Sequence, residues 1–135
     1  MMTRQEYAAT GDVLYSGTAK NGLRIRVLPK TGFSGFYAVF ATDYGGTYRR
    51  FTLDGTDYDM PAGVAHYLEH KMFDMPEGDN ALQSMTATGA DPNAFTSYDE
   101  TVYLFRCSEQ FRENLRTLLR FVTTPYFTPE TVAKE

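Results

Sequence analysis

This sequence of 135 residues is poor in three residue types, with one cysteine, two histidines and no tryptophan. The single Cys107 excludes a disulfide within the chain and fits a reducing compartment. No apolar run approaches the ~20 residues that a membrane-spanning helix needs, and residues 1–10 lack the apolar stretch of a secretory signal. There is also no basic stripe with interleaved aromatic residues of the kind that binds nucleic acid. We therefore expect a cytoplasmic protein that binds neither membranes nor nucleic acids.

What the sequence does contain indicates a folded globular domain. Hydrophobic residues make up 42% and aromatic residues 15% of the chain, which is enough for a core without disulfides. Charge is unevenly distributed, because ten of the seventeen acidic residues but one of the thirteen basic residues lie between Asp54 and Glu100. The resulting negative field favours a cation or a positively charged peptide, although most of these carboxylates also fit solvated loops.

Two short strands are predicted near the start, at 13–18 and 23–28. Asn21-Gly22 between them is typical of a two-residue hairpin turn, in which both central residues need positive φ. In the second strand, apolar residues alternate with arginines, which predicts one buried face made by Leu23, Ile25 and Val27.

The aromatic run 35–44 is expected to be a central strand, with 47–53 as its return partner. An acidic loop is predicted at 54–60. Pro61, with Asp59 as a candidate cap, is expected to begin a helix that ends near Phe73.

The second half of the chain has clear helix and strand signals. The predicted elements are a helix at 80–88 stopped by Gly89, a turn at 90–93, strands at 94–98 and 101–107, a helix at 109–123 capped by Ser108, and a last helix begun by Thr128 and Pro129. The apolar stripe of the long helix consists of Phe111, Leu115, Leu118, Leu119 and Val122. This order predicts an α+β fold with a largely antiparallel sheet packed against helices.

The two histidines, His66 and His70, are four residues apart, and Glu69 directly precedes the second. On a helix both imidazoles then point one way, and Glu69 lies about 60° to the side of His66. Two neutral imidazoles suit zinc, and a neighbouring carboxylate suits a general base. H-x-x-E-H is the reversed form of the H-E-x-x-H metallopeptidase motif. The same pattern also arises by chance, with the histidines in the core and Glu69 on the surface, so both interpretations stay open at this point.

Other segments accompany this motif. They are Asn21-Gly22-Leu23-Arg24, the run from Gly63 to His70, Gly89 followed by Asn93-Ala94-Phe95-Thr96-Ser97, Tyr103, and Pro125-Tyr126-Phe127. With them, nearly the whole chain resembles the N-terminal part of the catalytic domain of the pitrilysin/insulinase-type zinc metallopeptidases. The run Gly-Val-Ala-His-Tyr-Leu-Glu-His-Lys-Met-Phe is similar to bacterial intracellular members of that family.

The resemblance implies a zinc-dependent endopeptidase. His66 and His70 would be zinc ligands, and Glu69 would be the general base that activates the attacking water. Asn93 and Ala94 would lie on an edge strand that aligns the peptide substrate by strand addition. Zinc is favoured over manganese or cobalt by ligand type. The family also implies a second homologous domain or subunit as partner.

The family's third zinc ligand is a Glu, which follows an earlier acidic residue by about two helical turns. Glu135 matches that earlier residue, so the third ligand is expected beyond residue 135, with Glu135 itself as second choice. We therefore expect residues 1–135 to be an N-terminal portion of a metallopeptidase domain that folds at least partly, binds zinc poorly and is inactive alone. The alternatives are a non-catalytic structural or substrate-binding homologue of this family, and an unrelated domain in which the histidines pack.

Overall fold

The computed structural model describes residues 1–135, except for the side chain of Glu77. The predicted α+β class is confirmed, because every strand pairing of the described residues is antiparallel and helices pack on one of the sheets. The chain divides into two compact units, Met1–Ser34 and Gly35–Glu135. Among the described residues, no helix has the length and apolar character needed to cross a membrane.

The first unit is a three-stranded sheet in the order β1-β2-β3. Its strands are β1 (Thr3–Tyr7), β2 (Asp12–Thr18) and β3 (Arg24–Val27). The two predicted strands are confirmed as β2 and β3, whereas β1, with four polar residues among its five, gave no apolar alternation to predict it. The expected buried face of β3 is wrong, since Ile25 is 39% and Val27 47% exposed and no residue of 1–34 is buried.

The hairpin between β2 and β3 has a three-residue loop instead of the predicted two-residue turn. The amide of Gly22 donates to the carbonyl of Ala19 at 3.0 Å, and the amide of Ala19 donates to the carbonyl of Leu23 at 2.8 Å. Gly22 has φ +88°, but Asn21 is not at positive φ. This is the arrangement of a type I turn closed by a glycine bulge, which needs left-handed backbone at one residue only.

The second unit contains the remaining strands and all helices. In chain order they are β4 (Phe36–Thr42), β5 (Arg50–Leu53), β6 (Thr56–Asp59), α1 (Val64–Lys71), a 3₁₀ turn (Pro76–Gly78), α2 (Ala81–Ala87), β7 (Asp91–Thr96), β8 (Thr101–Cys107), α3 (Phe111–Thr123) and α4 (Pro129–Lys134). The strand predicted at 35–44 is present as β4, but its predicted central position is wrong, because the main sheet has the order β4-β8-β7. The central strand is β8, which pairs with both β4 and β7, and five of its seven residues are buried.

The segment after β4 folds on itself and does not return to pair with β4. β5 pairs with β6 through Asp54 and Gly55, which have φ +50° and +77°. The predicted pairing of 47–53 with 35–44 and the predicted loop at 54–60 were therefore both wrong. An Asp-Gly dipeptide takes left-handed backbone at both positions readily, and it closes a tight hairpin here. Two carboxylates of this hairpin have cross-strand partners, since Arg50 Nε donates to Asp59 at 3.0 Å and Thr52 Oγ1 donates to Asp57 at 2.6 Å.

Helix starts were predicted well where a polar side chain caps the first turn. The side chain of Asn80 accepts from the amide of Leu82 to cap α2, and Thr128 caps α4 as predicted, with Pro129 at its first position. The starts of the other two helices were predicted too early. Left-handed residues precede them, Gly63 (φ +91°) before α1 and Gln110 (φ +53°) before α3.

The strand β7 begins at Asp91, where a turn at 90–93 had been predicted, and ends at Thr96 instead of Tyr98. Proline in position 92 is tolerated because β7 lies at the edge of the sheet, where a missing amide costs no interior hydrogen bond.

The core of the second unit lies between the main sheet and the helices. The rings of Phe73, Tyr103 and Phe121 contact one another with centroids 5.1–5.7 Å apart. The stripe of α3 is confirmed for Leu118, which is 1% exposed, and for the half-buried Phe111, Leu115 and Val122, which pack against the core. Leu119 is 37% exposed, and Phe121 is buried instead. This packing fixes α1 against β7 and β8, and thereby fixes the H-x-x-E-H segment.

Candidate metal centre

His66 and His70 lie on consecutive turns of α1, and both are exposed. Their Nε2 atoms are 3.2 Å apart, and their ring planes are at 87° to each other. Helical spacing alone brings the two imidazoles to the same face, as the sequence predicted. The structure adds that the same nitrogen of each ring converges on one point outside the helix.

This separation can be tested against the geometry of a metal ion. Two nitrogen ligands of tetrahedral zinc, each about 2.0–2.1 Å from the ion, lie about 3.3 Å apart. The observed 3.2 Å between the Nε2 atoms fits that value without movement of the helix. The donor set of two imidazoles also suits zinc better than hard cations, which prefer oxygen ligands.

Glu135 contacts the other side of the His70 ring. Its Oε1 is 2.7 Å from Nδ1 of His70, and the hydroxyl of Tyr67 donates to the carbonyl of Val132 at 3.0 Å. These two bonds attach α4 and the residue that follows it to α1. When the Nδ1 proton of His70 is donated to Glu135, the lone pair of its Nε2 faces His66, which is the tautomer a metal ligand requires.

Glu135 therefore does not lie beside the two Nε2 atoms. Among the described residues, no group of three or more His, Cys, Asp or Glu side chains is arranged to hold one metal ion. What the structure brings together is a pair of imidazoles and a carboxylate that orients one of them.

Glu69 lies on the same helix but has a very different environment. It is 6% exposed, and its Oε2 accepts a hydrogen bond from the hydroxyl of Thr96 at 2.6 Å. Burial, with a smaller effect from the negative charge of Glu69, raises the pKa of Tyr103 well above its usual range. The Tyr103 phenol therefore stays neutral beside this carboxylate.

Sequence reasoning missed the partner of Glu69 and the burial of Lys71. The contact of Thr96 with Glu69 joins residues 27 positions apart on different elements. Lys71 is fully buried, its Nζ donates to Asp74, and it lies 5.8 Å from the centre of the Phe127 ring. The Lys71–Asp74 pair has a local spacing of three residues, but the burial of Lys71 and the contact of Thr96 with Glu69 depend on tertiary packing. Thr96 belongs to a segment singled out by the family resemblance.

Asn93 and Ala94 lie on β7, whose single ladder partner among the described strands is β8. Asn93 is exposed, and its Oδ1 accepts from the amide of Ala94 at 2.8 Å. Because an amide with this partner is not bonded to β8, it belongs to the open edge of the strand. The open edge is geometrically free to pair with an extended peptide.

Comparisons with known proteins identify the class of protein that has this H-x-x-E-H helix packed on an antiparallel sheet. Residues 55–135 match the family described as insulinase (peptidase family M16). The uncharacterized zinc protease YmfH of Bacillus subtilis (strain 168) is 46% identical over 132 residues, which are 96% of this chain and 31% of that protein.

Two solved structures are also similar. One is the crystal structure of an M16-like peptidase from Alicyclobacillus acidocaldarius, with a TM-score of 0.83 and 35% identity over 98% of this chain and 29% of that one. The other is a protease from Helicobacter pylori, with a TM-score of 0.71 and 22% identity over 87% of this chain and 27% of that one. The second likeness concerns the fold alone.

This chain belongs to the insulinase family, peptidase family M16. It spans about a third of the length of YmfH and less than a third of each of the two solved structures.

Proposed function

We propose that this chain forms the zinc-binding part of a zinc-dependent endopeptidase. The observation that carries the proposal is the 3.2 Å separation of the His66 and His70 Nε2 atoms, with Glu69 held on the same helix. The relative YmfH is named a zinc protease, which supports the same metal and reaction class. We place the protein in the cytoplasm, with peptides as substrates.

The ligands of the proposed site are His66 and His70 through Nε2, with a third protein ligand from beyond residue 135. Glu135 remains the second choice for that ligand, but its contact with Nδ1 of His70 favours an orienting role. Zinc at this position would polarise the scissile carbonyl and lower the pKa of bound water to about 7.

The remaining steps are assigned to residues of this chain. Glu69 takes the proton of the attacking water and delivers it to the leaving amine. Asn93 and Ala94 on the open edge of β7 align the peptide backbone by strand addition. A second homologous domain or subunit closes the site around the substrate.

The test is Glu69→Gln in the protein encoded by the complete reading frame. We expect the variant to keep its zinc content and to lose peptidase activity on the order of 10³-fold, because the amide cannot accept the proton. His70→Phe should lose zinc and activity together, and the 135-residue chain alone should cleave no labelled peptide. Full activity of Glu69→Gln, or activity that a chelator leaves unchanged, would contradict the proposal.

One observation favours a second candidate, a non-catalytic substrate-binding homologue. The described residues supply two metal-binding nitrogens and no third ligand beside them. If the complete protein binds extended peptides but does not cleave them with zinc present, this candidate is correct and the endopeptidase proposal is wrong.

A further inference from the structure

We infer that Thr96 is a positioning residue for Glu69, holding one carboxylate oxygen so that the other faces the reacting water. The inference rests on the proposed function, since it concerns the base of that reaction. The family resemblance gave Thr96 no role. Its role is inferred from the contact of its hydroxyl with Glu69 Oε2, at 2.6 Å.

The first step of the argument is the placement of the two side chains. Thr96 is the last residue of β7, and α1 packs against this strand. Alternate residues of a strand share a face, so Thr96 lies on the same half-buried side as Ala94. The hydroxyl of Thr96 thus reaches Glu69 from the sheet.

The second step is the effect of one donor on a buried carboxylate. A hydrogen bond to a charged acceptor is short and roughly twice as strong as a neutral one, which fits the 2.6 Å distance. Glu69 has three side-chain torsions, and a bond at Oε2 fixes the plane of the carboxylate without occupying Oε1. The proton acceptor is then preorganised, which removes a reorganisation cost from the proton transfer.

The third step connects the base to the substrate strand. Thr96 and the proposed substrate-aligning residues Asn93 and Ala94 lie within four residues of each other on β7. A single rigid strand therefore sets both the position of the peptide backbone and the position of the base. A change at Thr96 should alter the chemical step more than substrate binding.

A purely structural role is the competing explanation, because a buried carboxylate needs a donor in any case. The chain offers a matched control in Thr101, which is directly opposite Thr96 in the β7–β8 register. Thr101 is buried and its hydroxyl donates to the carbonyl of Tyr44 at 2.7 Å. Thr101→Val removes a comparable hydrogen bond that has no connection to Glu69.

The kinetic test compares Thr96→Val, Thr96→Ser and Thr101→Val in the protein encoded by the complete reading frame, with kcat expressed per zinc-loaded molecule. We expect Thr96→Val to lower kcat about 10- to 100-fold with KM nearly unchanged. Thr96→Ser should recover most of the loss, and Thr101→Val should keep kcat. Equal kcat for Thr96→Val and the parent would overturn the inference. Thr96→Ala replaces Thr96→Val if the latter does not fold.

Two further readouts separate this inference from the proposed function. Zinc content should be the same in the Thr96 and Thr101 variants, since neither residue is a proposed zinc ligand. If Glu69→Gln is inactive but Thr96→Val is fully active, the positioning role fails and the proposed function stands. If Glu69→Gln is active, the proposed function fails first.

A readout independent of activity uses the 135-residue chain without zinc. The thermal midpoint is measured for Thr96→Val, for Glu69→Met and for the double variant. We expect Thr96→Val to lower the midpoint in the parent and to cause little further loss beside Glu69→Met, because the two groups act as one unit. Additive losses would show that the hydroxyl and the carboxylate are not coupled in solution.

Discussion

The two compact units of this chain differ in how far their side chains are removed from water. No residue of Met1–Ser34 is buried, whereas Gly35–Glu135 contains every buried residue of the described chain. The family match over residues 55–135 lies entirely within the second unit. The H-x-x-E-H helix therefore belongs to the part of the chain in which packing restricts the side chains. A catalytic group needs such packing, because it must stay within about 0.5 Å of its working position.

The largest expected effect is at the core of the second unit, at Phe105. This side chain is fully buried and contacts the Phe111 ring at 5.8 Å. We expect Phe105→Ala to lower the free energy of unfolding by about 3–5 kcal/mol, because the cavity cannot collapse fully. The matched change Ile25→Ala in the first unit, where the side chain is 39% exposed, should cost less than about 1 kcal/mol.

Urea unfolding followed by circular dichroism measures both variants under the same conditions. Similar losses of unfolding free energy for Phe105→Ala and Ile25→Ala would contradict the difference between the two units, because they would mean that both positions are equally well packed.

The sequence predicted several features whose causes are local, although it missed the turn at Asp54 and Gly55. Thr128 caps α4 as predicted, the helix predicted from Asn80 begins directly after it, and Leu118 follows a helical stripe. Pairings between distant segments were not predictable in this way. Whether 35–44 would pair with 47–53 or with 101–107 depends on which strand takes the central, most buried position of the sheet. The residue pattern of a single strand does not contain that information.

The same distinction applies to the candidate site. The convergence of His66 and His70 follows from helical spacing, so the sequence predicted it. The buried state of Glu69 and its bond to Thr96 depend on how α1 lies on β7, which is a matter of tertiary packing. The contact of Glu135 with Nδ1 of His70 also joins separate helical segments. The sequence therefore predicted that Glu135 lies near the site, but it did not predict which atom of His70 the carboxylate contacts.

An intermediate effect is expected at an ion pair of the second unit that includes a fully buried lysine. The fully buried Lys71 donates to Asp74, whose side chain is 33% exposed. Asp74→Ala should lower the free energy of unfolding by roughly 2–3 kcal/mol, because it leaves a buried ammonium group without its partner. Lys71→Met removes the buried charge and keeps similar volume, so its loss in urea unfolding should be clearly smaller.

The matched pair in the first unit joins Lys30 to Asp12, with side chains 48% and 22% exposed. Asp12→Ala should leave the urea midpoint almost unchanged, because exposed pairs contribute little. If Asp12→Ala lowered the free energy of unfolding as much as Asp74→Ala, the exposure of an ion pair would not explain how much it stabilises each unit.

The smallest expected effect is the acid response of the first unit. Hydrogen bonds from Lys30 and then Thr10 lower the pKa of Asp12 below its ordinary value of 3.8. The unfolded chain therefore binds the Asp12 proton more readily than the folded one. The contribution of Asp12 to the stability of the fold is present above its ordinary pKa and is lost as pH falls through the lower, folded value.

Amide chemical shifts of Tyr7 and Asp12, which pair between β1 and β2, should thus change at a pH below 3.8. In Asp12→Asn this step should be absent, while amides of β8 follow the same course in both proteins. A step that persists in Asp12→Asn would assign the acid response to another carboxylate, and it would remove this ion pair as a difference between the units.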